Sequence, residues 1–286
     1  KTKAQPDALK GERHNSLPTT LPFSFLCASY MNRIDKLFQT KPRNILSVYC
    51  TAGFPQLNDT LRVLKLLQGA GADMIEIGMP YSDPLADGVV IQQSGTAALQ
   101  NGMNLKTLFE QLKEVREQIH IPLILMGYLN PVLQYGFENF CRDAAAIGID
   151  GLILPDLTPE VYETEYAPVF KKYNFKNIML VTPRTSEERI RKIDALSSGF
   201  LYAVAASSTT GNALTDTEKQ QQYFARLKSM GLKNEIIIGF GIATREHFEN
   251  ACKYAAGAIT GSAFIKHISA STDLEKSIPA FIQSIR

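Results

Sequence analysis

The sequence predicts an α/β fold, a closed barrel of parallel strands with helices outside, and three observations lead to it. Eight short runs rich in apolar and β-branched residues recur from residue 45 onward. The runs are continuous rather than alternating, which is typical of parallel strands covered on both faces. The segments between them have helical periodicity, for instance Leu61, Leu64 and Leu67. Eight such units in about 240 residues favour a (β/α)8 TIM barrel over an open doubly wound sheet.

Each predicted strand is followed by loop signals and then by a helix. The eight runs comprise residues 45–50, 74–77, 123–126, 151–154, 178–181, 200–204, 236–239 and 258–260. Several helices lead through a glycine into the next strand, so Gly71, Gly148 and Gly257 are expected to end helices at such turns. The loop after the first run reads TAGFP and contains no GxGxxG, which disfavours a dinucleotide-binding fold.

The segment before the first strand divides at residue 31. Residues 31–40 predict a short extra helix whose apolar face contains Ile34, Leu37 and Phe38. Residues 1–30 are polar, interrupted by prolines and aperiodic, and we expect them to be a non-native or disordered extension. The predicted organisation is therefore a single TIM-barrel domain over residues 31–286.

Composition excludes several classes of function. The net charge is +2, with 30 basic and 28 acidic residues, which gives no electrostatic reason to expect nucleic acid as a partner. No apolar run is long enough to predict a membrane span. The four cysteines are widely separated and no histidine lies at metal-ligand spacing, so we expect no metal site and a reducing, cytoplasmic location.

Glu76 is the first candidate for chemistry because it interrupts a run that otherwise predicts a buried strand. A carboxylate there is costly unless it is paired or used. Strand alternation places it on one face with Met74 and Gly78, which is the barrel interior if Ile75 and Ile77 pack against helices. Burial raises a carboxyl pKa and suits a group that gives and takes protons near neutrality. A satisfied core residue is the alternative.

The loop after Glu76 contains two further acids. Asp83 precedes Pro84, a context typical of turns, and we interpret it as structural. Asp87 precedes Gly88 and is the better candidate for a second acid that faces a substrate.

Small residues after the last two predicted strands indicate a phosphate site. Gly241 follows the seventh run, and Gly261 and Ser262 follow the eighth. Backbone N–H groups can approach a phosphate closely there, at the usual phosphate position of this fold. Tight turns into helices are the alternative.

The positions of the lysines disfavour Schiff-base chemistry. Lys266 lies past the turn at Gly261 and Ser262, and no other lysine follows a strand closely.

These motifs together resemble the tryptophan synthase alpha chain family. EIGMPYSDPLADG at residues 76–88 carries the resemblance, and MNRIDKLF, TAGFP, GYLNPVLQYG, PDL, FGIA and TGSAFIK follow the family's order. The resemblance implies a TIM-barrel lyase that cleaves indole-3-glycerol phosphate to indole and glyceraldehyde 3-phosphate. It implies no cofactor in this chain and a pyridoxal-phosphate beta chain as partner, in an alpha2-beta2 tetramer.

The resemblance also assigns roles to individual residues. Glu76 matches the general acid/base, and Asp87 matches the carboxylate that stabilises positive charge on the indole N–H. The implied substrate-binding residues are Tyr49, Tyr128, Tyr202, Thr210, Gly211, Phe240, Gly241, Gly261 and Ser262.

One loop departs from the family pattern. Where the family reads SRxGVTG, this chain reads AASSTTG at residues 205–211, so the arginine position is Ala206. An impaired chain that mainly binds and activates the beta chain is therefore the alternative function. Another phosphate-binding barrel, such as a sugar-phosphate isomerase, would not account for YSDPLADG.

Overall fold

Parallel strands form one sheet at the centre of the computed structural model, which describes residues 31–205, 213–239 and 241–286. Nine strands are present in this part of the chain: β1 (Ile45–Thr51), β2 (Met74–Gly78), β3 (Leu123–Met126), β4 (Gly151–Ile153), β5 (Lys176–Asn177), β6 (Met179–Val181), β7 (Phe200–Val204), β8 (Glu235–Gly239) and β9 (Gly257–Thr260). They are ordered β5-β4-β3-β2-β1-β9-β8-β7-β6, and the paired neighbours run parallel.

The sheet closes because its two outer members are halves of one strand. Only Ile178 separates β5 from β6, and its N–H donates to the Leu152 carbonyl of β4 at 3.1 Å. β5 pairs with β4, whereas β6 pairs with β7. The eight predicted strand positions and the TIM barrel are thus confirmed. The fifth run was wrong in detail, since pairing begins at Lys176 and the strand is interrupted.

Helices cover the outside of the barrel, except for the first one, which lies at its N-terminal end. They are α1 (Arg33–Thr40), α2 (Thr60–Ala70), α3 (Val89–Gln100), α4 (Leu105–Gln111), α5 (Leu129–Tyr135), α6 (Phe137–Ala146), α7 (Pro159–Val161), α8 (Ala167–Lys172), α9 (Glu187–Leu196), α10 (Ala213–Ser229), α11 (Arg245–Cys252), α12 (Ser262–Ser269) and α13 (Leu274–Ile285). A π-helical turn, Tyr162–Tyr166, joins α7 to α8. None of the described helices is long and apolar enough to span a membrane.

Two of the three predicted turn glycines end helices as expected. Gly71 and Gly148 have φ values of 101° and 78°, a conformation that costs glycine little. The prediction for Gly257 was wrong, because this residue opens β9. A Cβ there would lie 2.1 Å from the Ile45 carbonyl oxygen of β1, so close strand approach is what requires a glycine.

Side-chain alternation along the strands separates two apolar clusters. Ile75 and Ile77 of β2 belong to the outer cluster, which packs between strands and helices. Met74 belongs to the inner cluster, inside the barrel. Because side chains alternate along a strand, Glu76 shares the inner face with Met74, as predicted.

The predicted extra helix closes the N-terminal end of the barrel. Ile34 of α1 is fully buried in the inner cluster, with Leu37 and Phe38 packed beside it. The Asn32 side chain caps α1 by accepting from the Ile34 N–H at 2.9 Å, and it also donates to the Asp150 carbonyl at 2.8 Å. This end of the barrel is filled, which leaves the opposite end for a ligand. The prediction for residues 1–30 lies outside the described residues.

Candidate active site

A cavity of about 260 Å³ opens at the C-terminal ends of the strands, where barrel enzymes place their active sites. Six predicted site residues line it: Tyr49, Asp87, Tyr202, Gly241, Gly261 and Ser262. Ile91, Met126 and Ile259 supply apolar walls, and Lys266 supplies a cationic group. The cavity therefore has an apolar region beside turns of small residues, a shape suited to an aromatic ligand with an anionic group.

Glu76 lies inside the barrel on β2 and is fully buried. Its Oε1 accepts a hydrogen bond from the Ser47 hydroxyl of β1 at 2.8 Å, and its Oε2 has no hydrogen-bond partner among the described residues. Burial raises the pKa of Glu76 from 4.5 to about 7, against the lowering effect of the Ser47 hydrogen bond. Both protonation states are therefore populated near neutrality, which suits a general acid/base.

Glu76 itself does not line the cavity, but two tyrosines near Glu76 do. Tyr49 is the Cα partner of Glu76 across β1 and β2, and its ring lines the cavity. Tyr202 lines the cavity as well, and the charge of Glu76 contributes to raising the pKa of its hydroxyl, after burial. The buried carboxyl is thus close to the tyrosines that form part of the cavity wall.

Glycines on adjacent strands make room for both tyrosine rings. A Cβ at Gly78 of β2 would lie 2.0 Å from the Tyr49 hydroxyl, and one at Gly239 of β8 would lie 2.2 Å from the Tyr202 hydroxyl. Neither distance is compatible with a side chain larger than hydrogen unless the tyrosine moves. The two tyrosines consequently depend on these glycines for their positions.

Asp87 lies in the loop between β2 and α3, half-buried at the cavity edge. Burial raises its pKa from 3.8 to about 6, and a hydrogen bond from the Tyr128 side chain partly opposes that rise. The Tyr128 hydroxyl also accepts from the Ala86 N–H at 2.9 Å, so one phenol contacts both the loop backbone and the carboxylate. Tyr128 lies beside the cavity rather than among its lining residues, where it orients Asp87.

Asp83 is placed differently from Asp87. It is exposed and accepts a hydrogen bond from the neighbouring Ser82 hydroxyl, and it does not line the cavity. These contacts agree with the structural role that its turn context predicts.

The predicted phosphate turns meet at one side of the cavity. Gly241 follows β8 with φ of 78°, and Gly261 precedes α12, which begins at Ser262. Thr260, at the end of β9, donates from its hydroxyl to the Ile242 carbonyl at 2.8 Å and so ties the two turns together. The first N–H groups of α12 lack intrahelical acceptors and carry the positive end of the helix dipole, which favours an anion there. Thr210, Gly211 and Phe240 lie outside the described residues.

Sequence reasoning missed the contribution of two residues, Ser47 and Lys266. Ser47 carried only a weak signal, a polar residue two positions before Tyr49 on a buried strand. Lys266 was considered only for Schiff-base chemistry, yet it lies four residues after Ser262 on α12 and lines the cavity. Side chains on a helix lean toward its N-terminus, so Lys266 extends toward the anion-favouring turn. No group of three or more metal-ligating side chains occurs in the described parts of the chain.

The fold and the site define the class: a TIM-barrel enzyme with two carboxyl groups of raised pKa beside a cavity suited to a small phosphorylated substrate. A family profile, tryptophan synthase alpha chain, matches residues 36–284. The tryptophan synthase alpha chain of Flavobacterium johnsoniae is 52% identical over 256 residues, covering 90% of this chain and 100% of that protein. The Bacteroides thetaiotaomicron alpha chain is 48% identical, covering 87% and 97%.

Solved structures agree with the sequence relatives. The alpha subunit of tryptophan synthase from Legionella pneumophila superposes with a TM-score of 0.79 at 34% identity, covering 90% of this chain and 97% of that chain. A chain of Mycobacterium tuberculosis tryptophan synthase gives a TM-score of 0.78 at 27% identity, covering 89% and 98%. The chain belongs to the tryptophan synthase alpha chain family, a family of lyases in tryptophan biosynthesis.

Proposed function

We propose that the chain cleaves indole-3-glycerol phosphate to indole and glyceraldehyde 3-phosphate, with Glu76 and Asp87 as its catalytic acids. The observation that supports this most is the pair of carboxyl groups, whose pKa values are raised to about 7 and about 6 beside one cavity. Titratable groups shifted toward neutrality by burial in a cleft are typical of acid–base catalysis. Family membership supplies the reaction.

The substrate spans the cavity from its apolar region to its small-residue turns. The indole ring occupies the space between the tyrosines and the apolar walls, with Tyr49 and Tyr202 in contact with it. The phosphate binds at the backbone of Gly241 and Gly261 and at Ser262. The family pattern implies that three more residues bind the substrate, which stays a prediction: Thr210, Gly211 and Phe240.

The retro-aldol step needs one proton donated and one removed. Protonation of indole C3 places positive charge on the ring nitrogen, and the Asp87 carboxylate accepts a hydrogen bond from the indole N–H and stabilises that charge. Glu76 exchanges protons with the substrate: its carboxyl form supplies a proton and its carboxylate form takes the proton of the 3′-hydroxyl. The hydroxyl oxygen becomes the aldehyde carbonyl, the C–C bond breaks, and its electron pair restores the indole.

Binding energy at the phosphate turns orients the reacting bond. A substrate anchored at its phosphate and at its ring presents the glycerol carbon between them to the interior face of β2, where Glu76 lies. Charge stabilisation by a preorganised carboxylate in a half-buried site is larger than the same interaction in water.

The family implies a beta chain as the partner. Exposed apolar residues indicate the surface to which it binds. Leu85 is 94% exposed and Val89 67% exposed, both in or next to the Asp87 loop, and Leu133 of α5 is 45% exposed. The Ala86–Tyr128 hydrogen bond joins the Asp87 loop to the start of α5, and neighbouring exposed apolar groups favour a protein contact. We propose that this surface binds a pyridoxal-phosphate beta chain that receives indole, in an alpha2-beta2 tetramer. This chain itself requires no cofactor.

The proposed location is the cytoplasm. The support is the biosynthetic role of the family together with three free cysteines among the described residues, Cys50, Cys141 and Cys252, as in reducing compartments.

The alternative, a chain that activates the beta chain without turning over substrate, has less support. It rests on the altered loop, of which residues 206–212 lie outside the described part of the chain. Identity of 52% to a curated alpha chain over 90% of the sequence favours an active enzyme.

The experiment that tests the proposal follows indole release from indole-3-glycerol phosphate by the purified chain, alone and with a beta chain. Release above the no-enzyme rate in either mixture is expected, with its loss in Glu76→Gln. Indole formation at the background rate in both mixtures would reject the lyase. Stimulation of indole-plus-serine turnover by such an inactive chain would establish the alternative.

A further inference from the structure

Ser47 is the only side chain that donates a hydrogen bond to Glu76 within the described part of the protein. The bond runs from Ser47 Oγ to Glu76 Oε1 at 2.8 Å, and both residues are fully buried. Apolar side chains such as Met74, Ile124 and Ile237 pack inside the barrel, on the face of the sheet that Glu76 shares. A buried carboxylate in such surroundings depends strongly on the one donor that it has.

Strand register explains why Ser47 reaches Glu76. Ser47 of β1 lies opposite Met74 of β2, and Tyr49 lies opposite Glu76. The Tyr49 ring extends over Gly78, toward the C-terminal ends of the strands. The side chain of Glu76 is therefore bounded by Tyr49 on the catalytic side and by Ser47 diagonally on the other side, within reach of a short hydroxyl.

We propose that Ser47 is a positioning residue for Glu76: its hydroxyl holds Oε1 and leaves Oε2 as the atom that exchanges protons with the substrate. This inference rests on the proposed lyase function. It accounts for the asymmetry of the carboxyl group, in which Oε1 is bonded and Oε2 has no partner in the described structure. A proton carried on Oε2 leaves the Ser47–Oε1 bond intact, so one side-chain geometry serves both protonation states.

The same bond adjusts the proton affinity of Glu76. A hydroxyl that donates to a carboxylate favours the charged form and lowers the pKa, whereas burial raises it. Removal of Ser47 therefore raises the pKa of Glu76 further above its present value of about 7. A role confined to packing would leave the titration of Glu76 unchanged.

The test compares Ser47→Ala with Ser47→Thr, which keeps a hydroxyl, and with Ser197→Ala. Ser197 is also buried, but it follows α9 at the N-terminal end of the barrel, away from the cavity. Its hydroxyl has no partner among the described residues. In Ser47→Ala we expect the limb of the kcat–pH profile near pH 7, which the titration of Glu76 sets, to move up by about one pH unit. We also expect kcat to fall about tenfold with little change in KM, because ground-state binding does not involve Ser47.

A direct titration separates this inference from the proposed function. In protein labelled with ¹³C at glutamate carboxyl carbons, the Glu76 signal is the one lost in Glu76→Gln. Its pKa should rise in Ser47→Ala and return toward that of the parent protein in Ser47→Thr. If Ser47→Ala does not fold, Ser47→Cys, with a weak thiol donor of similar shape, should give a smaller rise.

An unchanged Glu76 titration and an unchanged pH limb in Ser47→Ala or Ser47→Cys would overturn the inference, even if the variant melts earlier. Failure of the parent protein to release indole would instead overturn the proposed function. The carboxyl titration would then still decide whether Ser47 controls the protonation of Glu76.

Discussion

Replacement of Glu76 by glutamine should make the protein more stable at alkaline pH while it abolishes lyase activity. Glutamine has the shape of the protonated glutamic acid and can accept the Ser47 hydrogen bond, but it never carries a charge. Glu76 is fully buried, so its ionisation inside the barrel is a cost that the substitution removes.

The magnitude follows from the pKa of the buried carboxyl. Burial raises it from 4.5 to about 7, and each unit corresponds to about 1.36 kcal/mol. Between these two pH values the folded protein binds one more proton at this site than the unfolded chain, so the free energy of unfolding falls as pH rises. Relative to Glu76→Gln, the parent protein should lose about 3 kcal/mol of stability between about pH 4.5 and about pH 8.

Urea unfolding followed by far-UV circular dichroism measures this difference, because the chain has no tryptophan to report by fluorescence. The quantity of interest is the parent's unfolding free energy minus that of the variant, at several pH values. Asp87 titrates in both proteins, so its contribution largely cancels in the difference. Glu110→Gln, at an exposed position on α4, controls for the exchange of a carboxyl for an amide.

A difference that stays within about 1 kcal/mol across this pH range would refute the reasoning. Such a result would mean that Glu76 is hydrated or paired in the folded protein. Its pKa would then not be raised, and Glu76 would not be suited to act as an acid/base near neutrality. Retained indole release in Glu76→Gln would separately remove Glu76 from the mechanism.

Three further outcomes follow from the site. Asp87→Asn should lower kcat for indole release by about 10²–10³-fold, because the charge that stabilises the indole nitrogen is lost. The rise of kcat/KM through about pH 6 should also disappear from the pH profile of this variant. Lys266→Met should raise KM for the phosphorylated substrate about tenfold with kcat retained, measured by initial rates; an unchanged KM would mean that Lys266 does not contact the phosphate. Gly78→Ala should destabilise the protein by about 1–3 kcal/mol in urea unfolding, since its Cβ would meet the Tyr49 hydroxyl. Gly69→Ala, in an open helical position, should be neutral or stabilising, and equal effects of the two substitutions would argue against that clash.

Much of the fold could be predicted because its determinants are local. Continuous apolar runs, helical periodicity and the glycines at Gly71 and Gly148 each depend on residues close in sequence. The fifth strand was less accessible, because its interruption at Ile178 arises from pairing with two different neighbours. Gly257 was misread for a similar reason, since the need for glycine comes from Ile45, far away in the chain.

The candidate site likewise has features that local sequence predicts and features that depend on tertiary contacts. Alternation along one strand was enough to place Glu76 inside the barrel, and the position of small residues after the last strands was enough to place the phosphate turns. The contact between Tyr128 and Asp87 spans two loops, and neither loop alone indicates it. Lys266 became a candidate ligand only when the direction of α12 was known.

By itself the sequence determined the number of strand–helix units, the inward face of β2 and the presence of a buried acid at its catalytic end. These follow from hydrophobic periodicity, which operates over a few residues. Only the tertiary structure decided that Ser47, 29 residues before Glu76, donates to one carboxyl oxygen and leaves the other unpartnered. Strand register sets that contact, and register is a property of two strands that pair, which no single stretch of sequence contains.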